Sequence, residues 1–432
     1  MPSTDKLLNK GFLSLLFTQL FGAINDSILK QVLILAVASG GIWADRLGNG
    51  GQGYIALCLT IPFILLSGFA GQFADKLSKR RIAVYAKIAE IGIAAIGLAA
   101  FMAGNLWAGM ITLVLLAIQS AFFGPAKYGM IPELVGDKHL SQANGTINMF
   151  TNLAVIGGTL VAGSVYGHYA IEGTGTDPAV INPAMLWVPG VAFLVLAILG
   201  LLPSLCLPKL QAFQPDLKFN WNIFRPYVAS LREMSKSSLL LVALAWAFFY
   251  MVGMMALLLI PDFSELLNIS PKENNNLLGV LGVSIGLGSV TAGIISGKHI
   301  EPRLIPVGAV GMTIFFLLLG RDPESFWGVA GFLGGAGFFA GFYIVPLQSL
   351  LQHLSPVDER GRFLGTANAL SFVFSSIGSA LVLLCRGEWL SMPANSVFLV
   401  SGGLSFVGTG FLLWRLRKLF NDPKARGGSH PA

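Results

Sequence analysis

The sequence predicts an all-α integral membrane protein with twelve membrane-spanning helices in two six-helix pseudo-repeats. Three observations support this fold class. Of the 432 residues, 54% are hydrophobic and only 11% are charged, whereas soluble domains carry roughly 25% charged residues. Apolar runs of about 20 residues, the length needed to cross a bilayer core, recur along the whole chain. Sequence features of the first half also return in the second half at an offset near 222 residues.

Each apolar run is predicted to form a helix, because lipid offers no water to pair with exposed backbone groups. A long polar connection follows the sixth run, and it divides the chain into an N-terminal bundle over 1–207, a cytoplasmic linker over 208–237 and a C-terminal bundle over 238–432. Residues 221–234 mix aromatic, aliphatic and cationic side chains, which indicates an amphipathic helix on the inner membrane surface. A flexible linker is the alternative. The predicted helices cover residues 11–38, 53–73, 82–103, 106–125, 142–168, 184–207, 238–260, 277–298, 303–320, 326–348, 363–385 and 394–416.

The net charge of +7 reports membrane topology rather than nucleic-acid binding. With the N-terminus inside, four of the 28 Lys and Arg fall on the outer side and three within helices, which leaves 21 in cytoplasmic segments. Positively charged loops stay in the cytoplasm, and an even number of spans returns the C-terminus to the same side. Both termini are therefore predicted to be cytoplasmic. The outer cations are Arg46, Lys272, Arg321 and Arg386, and those within helices are Lys30, Lys87 and Lys127.

The two halves share several residues at a common offset, which argues against coincidence. Two parallel repeats with a site between them at mid-membrane are an architecture of secondary transporters. The matched positions are Gly71 with Gly293, Lys76 with Lys298, Arg81 with Arg303, Pro125 with Pro346, and Ala143-Asn144-Gly145 with Ala367-Asn368-Ala369.

The short connection 71–81 joins the second and third helices and is predicted to act as a gate. Its glycine permits a close helix approach, and its aspartate lies among several cations that offer ion-pair partners. We expect this cluster to hold two helix ends together on the cytoplasmic side in one state and to release them in the other. The predicted gating residues are Gly71, Asp75, Lys76, Arg80 and Arg81.

The first predicted helix contains Asn25, Asp26 and Lys30, and charge within a membrane is costly enough to mark a candidate site. One interpretation places Asn25 and Asp26 in a central cavity, as contacts for a polar or cationic group of a ligand or as a protonation site. The alternative is a self-neutralising pair of Asp26 and Lys30, which are four residues apart and share a helix face. In the third helix, Lys87 and Glu90 are predicted to form a structural pair.

Polar side chains also follow one face of the fifth helix, where three asparagines recur every four residues. A similar row begins in the eleventh helix, and two rows at repeat-related positions favour a cavity lining. Interhelical hydrogen bonding is the alternative. The candidate lining residues are Asn144, Asn148, Asn152 and Asn368, with Tyr343 and Gln348 as further candidate substrate contacts.

Lys127 follows Gly124 and Pro125, which are predicted to break the fourth helix near this cation. An ammonium group at this position can meet a phosphate that arrives at the inner leaflet. It can equally reach lipid headgroups or pair with Glu133.

No phosphate-binding loop, zinc-ligand spacing or nucleophile motif is present, so neither an enzyme nor a cofactor is predicted. His353 and Asp358 match the H-x4-D pattern of glycerolipid acyltransferases, but they fall in a predicted short loop with no room for a catalytic domain. A non-transporting scaffold or sensor is a further alternative. The polar rows inside the helices and the lack of a sizeable soluble domain argue against it.

Residues 71–81 resemble the glycine–aspartate–basic signature between helices two and three of the major facilitator superfamily. Residues 17–26, 124–129 and 341–348 are similar to bacterial lysophospholipid transporters and to the membrane half of acyltransferase fusions, and Pro-Ala-Lys-Tyr-Gly at 125–129 is the most specific element. The resemblance implies movement of lysophosphatidylethanolamine and related lysolipids to the inner leaflet of the bacterial cytoplasmic membrane. It also implies a cytoplasmic acyltransferase that re-acylates them. By motif position, Asp26 matches the family's intramembrane carboxylate and Lys127 its basic partner.

One rival function shares the fold. A proton-coupled transporter of another small amphipathic molecule, a siderophore or a drug would use Asp26 or Glu90 as the proton carrier. Collapse of transport in the presence of an uncoupler favours this rival, and uptake that is indifferent to the uncoupler favours a lysolipid facilitator.

Overall fold

The computed structural model describes residues 6–48, 50–171, 173, 178–321, 325–387 and 390–417. In this part of the chain, the predicted all-α fold with twelve long helices is confirmed. Eleven of them are long and apolar enough to cross a membrane, and the ninth, with 16 residues, extends about 24 Å. The helices are α1 (Lys10–Val37), α2 (Gly51–Lys76), α3 (Lys79–Met102), α4 (Leu106–Val135), α5 (Leu140–Tyr169), α6 (Val188–Leu205), α7 (Leu239–Leu259), α8 (Pro271–Ser296), α9 (Leu304–Leu319), α10 (Phe326–Leu354), α11 (Arg360–Arg386) and α12 (Ala394–Leu416).

Short elements mark the two ends of the helix bundle. One end, the linker face, carries a short linker helix, Arg225–Met234, together with the α2–α3, α4–α5 and α10–α11 connections. The opposite end, the far face, carries an antiparallel hairpin of two strands, β1 (Ala170–Ile171) and β2 (Val180–Ile181). Odd-numbered helices therefore run from the linker face to the far face, and even-numbered helices run back.

The two halves of the chain pack in the same way. In the first half, α1 packs on α5 and α6, and α3 packs on α4 and α6. In the second half, α7 packs on α11 and α12, and α9 packs on α10 and α12. The halves meet where α2 packs on α11 and where α5 packs on α8. These two contacts are equivalent under the repeat, because α2 corresponds to α8 and α5 to α11. The domain boundaries at residues 207 and 238 remain a prediction.

Repeat-related glycines bring the two halves close together. A Cβ atom on Gly71 of α2 would lie 2.5 Å from the Cα atom of Arg362 in α11. Its counterpart in α8, Gly293, would place a Cβ atom 3.0 Å from the Cα atom of Gln142 in α5. Small residues let helix backbones approach this closely in a membrane. The offset in the sequence thus corresponds to a pseudo-symmetry of the contact between the halves.

Several helices extend further than the sequence predicts, among them α10, which continues past the predicted end at residue 348 to Leu354. α4 continues through two prolines to Val135, so the predicted break near Lys127 is wrong. A proline removes one backbone hydrogen bond, and neighbouring helices in a membrane compensate for that loss. α2 likewise continues to Lys76, and its connection to α3 shrinks to residues 77–78.

A buried ion pair joins the start of α3 to the end of α4 at the linker face. The Nζ atom of Lys79 lies 2.7 Å from the Oε1 atom of Glu133, and the two side chains are only 1% and 7% exposed. The ring of Phe213 in the linker lies 4.4 Å from the same ammonium group. Glu133 thus pairs with Lys79 rather than with Lys127.

Glu133→Gln is expected to lower the free energy of unfolding by about 3–5 kcal/mol, because the Lys79 charge stays buried without its partner. Denaturation of the purified protein in detergent, followed by circular dichroism, measures this change. The control is Glu233→Gln, which breaks an exposed ion pair with Lys236 and is expected to cost less than about 1 kcal/mol. Equal effects of the two substitutions would contradict a buried pair.

Candidate functional site

A cavity of ≈ 310 Å³ lies between the two halves of the chain. Ligand pockets in proteins start at about 300 Å³. Helices α7–α11 supply most of its wall, and most residues in this part of the wall are aliphatic, aromatic or small. From the first half, α4 contributes Tyr128, and α5 contributes Asn148, Thr151 and Asn152. A cavity whose polar groups lie mainly on α5, with single hydroxyls from α4, α7 and α11 in an otherwise apolar wall, fits an amphipathic molecule.

Two phenol rings line this cavity, Tyr128 from α4 and Tyr250 from α7. Trp246 lies between them, with its ring centroid 6.2 Å from that of Tyr128 and 5.7 Å from that of Tyr250. Within the described residues, neither phenol hydroxyl hydrogen-bonds to the protein. Both hydroxyls are therefore available to a bound molecule.

Two of the three predicted asparagines of α5 lie on the cavity wall. The Nδ2 atom of Asn148 donates to the Oε1 atom of Gln348 at 3.1 Å. The Nδ2 atom of Asn152 donates to the main-chain oxygen of Asn148 at 2.8 Å. Their side-chain oxygens accept no hydrogen bond from any residue in the described ranges. Both oxygens can therefore accept one from a ligand.

Asn144 and Asn368 connect the two halves instead of lining the cavity. Asn144 is fully buried, and its Nδ2 atom donates to the Oε1 atom of Gln352 at 2.7 Å, while its Oδ1 atom accepts from the Nε2 atom of Gln352 at 3.1 Å. The Nδ2 atom of Asn368 donates to the hydroxyl of Ser67 at 3.1 Å. Both residues therefore form hydrogen bonds between helices, as the alternative interpretation predicts.

Tyr343 and Gln348 lie behind the cavity wall. The hydroxyl of Tyr343 donates to the main-chain oxygen of Ala245 at 3.1 Å, and its ring stacks on Phe249, a lining residue, with centroids 5.8 Å apart. Gln348 is buried and accepts the hydrogen bond from Asn148. Both residues therefore position side chains that line the cavity.

Asn25 belongs to a buried polar network in the first half. Its Nδ2 atom donates to the Oε1 atom of Glu90 at 2.8 Å. The Oε2 atom of Glu90 lies 2.5 Å from the Nζ atom of Lys87, so the predicted structural pair is confirmed. Asn25 is fully buried by these contacts and does not line the cavity.

Asp26 is a partly buried carboxylate whose Oδ2 atom accepts a hydrogen bond from the hydroxyl of Ser120 at 3.3 Å. It forms no direct ion pair with Lys30, which is also partly buried, although the charge of Asp26 still acts on Lys30 from a longer distance. Other charges act on Asp26 as well, from Glu90, Lys87 and Lys127. Within the described residues, the carboxylate of Asp26 therefore has charged neighbours but no ion pair.

Two contacts connect α1 and Lys127 to residues that line the cavity. Gln19 lies two turns before Asp26 on α1, and its Nε2 atom donates to the hydroxyl of Thr151, a lining residue, at 3.4 Å. The Nζ atom of Lys127 lies 4.3 Å from the ring centroid of Tyr128, a cation–π contact with another lining residue. Neither Asp26 nor Lys127 lines the cavity. Lys127 contacts a lining residue directly, whereas Asp26 lies about 10 Å along α1 from the residue that does so.

Asp75 joins the two halves at the linker face. Its side chain is 1% exposed, and its carboxylate accepts hydrogen bonds from the main-chain N–H of Gly361 at 2.6 Å and of Arg362 at 3.1 Å. The Nε atom of Arg362 donates to it at 3.1 Å as well. These donors form the first turn of α11, so a carboxylate from the first half caps the positive end of a helix in the second. Asp75 therefore links α2 to α11 at the linker face.

The predicted cations around Asp75 have other partners. The Nζ atom of Lys76 donates to a main-chain oxygen of the linker at 2.7 Å, and the Nε atom of Arg80 donates to the main-chain oxygen after α6 at 2.7 Å. Arg81 is exposed. Only two residues separate α2 from α3, so Lys76 lies on one helix and Arg80 and Arg81 lie on the other. Their side chains therefore do not surround the carboxylate.

A second contact between ionisable side chains crosses between the halves at the linker face. The Nδ1 atom of His353, in the last turn of α10, lies 3.3 Å from the Oδ2 atom of Asp137, which follows α4. Asp358 accepts a long hydrogen bond of 3.5 Å from the Nε2 atom of Gln214 in the linker. The predicted loop position of His353 is therefore wrong, because α10 continues to Leu354, and the two residues of the H-x4-D pattern contact different partners.

Sequence reasoning missed Arg362 and Gln352, the partners of Asp75 and Asn144 in the other half. The sequence did contain a signal for Arg362. A cation in the first turn of a helix is unfavourable next to the helix dipole, which indicates that an anion lies nearby. Gln352 carries no comparable signal. Its partner is 208 residues away, and only the packing of α5 against α10 brings the two amides together.

The family model described as Major Facilitator Superfamily matches residues 11–379 and 242–431 of the chain. Among the relatives, the lysophospholipid transporter LplT of Photorhabdus laumondii is 26% identical over 412 residues and covers 93% of this chain and 93% of the relative. The protein of the same name from Pectobacterium carotovorum is 24% identical over 391 residues, with 89% and 86% covered.

Solved structures share the fold. The human organic anion transporter MFSD10 superposes with a TM-score of 0.75 at 15% identity and covers 93% of this chain and 99% of its own. The transporter FucP, in an outward conformation, superposes with a TM-score of 0.70 at 15% identity, with 95% and 99% covered. At this level of identity the likeness concerns the fold alone.

Proposed function

The chain belongs to the major facilitator superfamily, and we propose that it moves lysophospholipids across the bacterial cytoplasmic membrane by alternating access. The proposed cargo is a lysophosphatidylethanolamine-like lipid, delivered to the inner leaflet, where a cytoplasmic acyltransferase re-acylates it. The relatives named as lysophospholipid transporters support this cargo class.

The observation that carries the proposal is the cavity between the halves, with its polar groups on one side. A lysophospholipid has one acyl chain and a charged headgroup, and hydrocarbon offers that headgroup no hydrogen bonds. Asn148, Thr151 and Asn152 offer replacement hydrogen bonds, as do the hydroxyls of Tyr128 and Tyr250. The apolar wall supplied by α7–α10 accepts the first part of the acyl chain.

We assign opposite ends of the headgroup to Lys127 and Asp26. An ammonium group next to the cavity attracts the phosphate, and a carboxylate attracts the amine of the headgroup. Lys127 already contacts Tyr128 on the cavity wall, and the Asp26 face of α1 reaches that wall through Gln19. The proposal requires that movement of the first half during the transport cycle brings both charges to the cargo.

The proposal places the linker face in the cytoplasm, as the distribution of Lys and Arg predicts. The contacts of Asp75 and Asn144 with the second half then close the cytoplasmic side. Cargo enters while this side is closed, and the same contacts must open for release to the inner leaflet. Gly71 permits the close approach that this closure requires.

Asp26 favours a second candidate, a proton-coupled transporter of another small amphipathic molecule, siderophore or drug. A carboxylate in a membrane-spanning helix that forms no ion pair in the part of the chain that the structure describes is suited to binding and releasing a proton. An uncoupler separates the two candidates, because it abolishes uptake by a proton-coupled transporter and leaves uptake by a lysolipid facilitator unchanged.

Uptake of radiolabelled lysophosphatidylethanolamine into membrane vesicles that contain the protein tests the proposal. We expect saturable uptake that unlabelled lysolipids inhibit and that siderophores and drugs do not. Uptake equal to that of vesicles without the protein would reject the cargo.

Thr151→Val is expected to raise the half-saturating concentration of the lysolipid about three- to tenfold, because it removes a hydroxyl from the polar wall of the cavity. Thr146→Val is the matched control, since Thr146 lies on the same helix, bonds to its own backbone and does not line the cavity. Equal kinetics of the two variants would remove Thr151 from the binding site.

A further inference from the structure

The linker residue Tyr227 inserts its hydroxyl into the backbone of α2. Its Oη atom donates to the main-chain oxygen of Ile64 at 2.8 Å and accepts from the main-chain N–H of Gly68 at 2.9 Å. These two groups bond to each other in a regular α-helix. A hydroxyl can serve both because it is a donor and an acceptor. Side chains that enter the backbone ladder in this way bend a helix.

The turn that receives the hydroxyl is adapted to it. A Cβ atom on Gly68 would lie 2.5 Å from the Cε1 atom of Tyr227, so a larger residue would displace the ring. Pro62, two positions before Ile64, has no N–H and weakens the same part of the helix. Burial raises the pKa of Tyr227 to about 12, so the hydroxyl keeps its proton at neutral pH. The turn between Pro62 and Gly68 is therefore a weak section of α2 that the linker braces.

The braced turn faces the other half of the chain. Phe63 of α2 stacks on Phe372 of α11 with ring centroids 4.3 Å apart. Asp75 lies two turns beyond Gly68 toward the linker face, where it caps α11. A change in the bend at Gly68 therefore moves Asp75 relative to the helix that it caps.

Residues 214–227, which we name the α2 strap, follow α2 from Asp75 back to the Tyr227 contact. The main-chain N–H of Gln214 donates to the main-chain oxygen of Asp75 at 3.0 Å. The side chain of Gln72 exchanges two hydrogen bonds with the main chain of Asn220, at 3.2 and 3.0 Å. Because the strap belongs to the connection between the halves, their relative movement pulls directly on this part of α2.

We propose that Tyr227 is a positioning residue of the transport cycle: its hydroxyl braces the bend of α2 and thereby holds Asp75 against α11 while the linker face is closed. The inference rests on the alternating access proposed above, and it adds a control element in the linker, outside the cavity. When the phenol leaves Gly68, the backbone of that turn pairs with itself, α2 straightens, and Asp75 withdraws from α11.

Tyr227→Phe tests the role of the hydroxyl, because it keeps the ring and removes only the oxygen. Nitroxide labels on cysteines at Lys138 and Val357, exposed at the linker face in opposite halves, report closure through their distance in pulsed electron paramagnetic resonance. The background carries serine at the three native cysteines. We expect the ratio of open to closed linker face to rise about three- to tenfold. The maximal transport rate should change and the half-saturating concentration should not.

Two further variants separate positioning from packing. Gly68→Ala adds a methyl group to α2 that displaces the ring of Tyr227. We expect the distance between the labels to shift in the same direction as in Tyr227→Phe. Tyr54→Phe is the matched control, since Tyr54 is an exposed phenol near the far face on the same helix, and it should behave as the unsubstituted protein does.

Unchanged distances in both Tyr227→Phe and Gly68→Ala would overturn the proposal. A lowered melting temperature with an unchanged ratio of open to closed states would also overturn it, because that result marks a purely structural contact. The distances are measured without cargo. A shift in distance combined with no lysolipid uptake by the unsubstituted protein would therefore reject the proposed cargo and retain the role of Tyr227.

Discussion

Asp75→Asn is expected to open the linker face and to slow transport at least about tenfold, with little change in the affinity for cargo. The Asp75 carboxylate accepts two main-chain hydrogen bonds and one from the Arg362 side chain. An asparagine keeps the shape but loses the charge, and its amide group presents N–H donors to the donors of α11. Removing one partner of a buried pair costs about 3–5 kcal/mol. Arg362 keeps a second partner, Glu359, so we expect about 3 kcal/mol, or about a hundredfold in the population of the closed state.

The label pair at Lys138 and Val357 measures this shift, together with the maximal rate and the half-saturating concentration of uptake. Asp358→Asn is the matched control, because Asp358 is an exposed carboxylate at the same face with a single long contact to Gln214. It is expected to change the population less than about twofold. A loss of affinity with unchanged distances and an unchanged maximal rate would show that Asp75 does not act as a gate.

Asp26→Asn is expected to lower lysolipid uptake at least about a hundredfold while leaving expression and the melting temperature intact. A carboxylate in a membrane-spanning helix that forms no ion pair within the described residues costs several kcal/mol, so we expect it to serve transport rather than stability. The amide can still accept the hydrogen bond from Ser120, and the buried Asn25–Glu90–Lys87 network is not touched. Initial rates of uptake into vesicles, normalised to the amount of protein, measure the effect.

The control for this substitution is Asp45→Asn, which removes an exposed carboxylate in the short helix Ala44–Leu47 at the far face. Uptake at the level of the unsubstituted protein in Asp26→Asn would remove Asp26 from the mechanism. Exchange of labelled for unlabelled cargo distinguishes its two possible roles. Exchange that persists while net uptake is lost indicates a proton carrier, and loss of both indicates a contact with the headgroup.

The helices and their arrangement followed from local information, because hydropathy and the repeat are properties of the sequence itself. The ends of the helices did not. Pro125 was expected to end α4, but a single missing backbone hydrogen bond is a small loss inside a helix bundle, and the helix continues for another ten residues to Val135.

The sequence did not reveal which residues of one half contact the site residues of the other half. Asp75 was predicted to act as a gate from the residues around it in the sequence, yet its partner Arg362 lies 287 residues away. The asparagines of α5 show the same limit. Asn148 and Asn152 line the cavity, while Asn144, one turn nearer the linker face, meets α10. The spacing of four defined the helix face correctly, but only the crossing of the helices decides where along that face the cavity ends.

Transbilayer movement of lysophosphatidylethanolamine in liposomes that contain only the purified protein tests the central claim most directly. The lipid is added to the outer leaflet, and a membrane-impermeant amine reagent reports how much of it remains there. We predict that the protected fraction grows in a saturable, protein-dependent way, and that Asp26→Asn abolishes this growth. A protected fraction that grows no faster than in protein-free liposomes, with the label pair at Lys138 and Val357 showing that the linker face still opens and closes, would contradict the claim that lysophospholipids are the cargo.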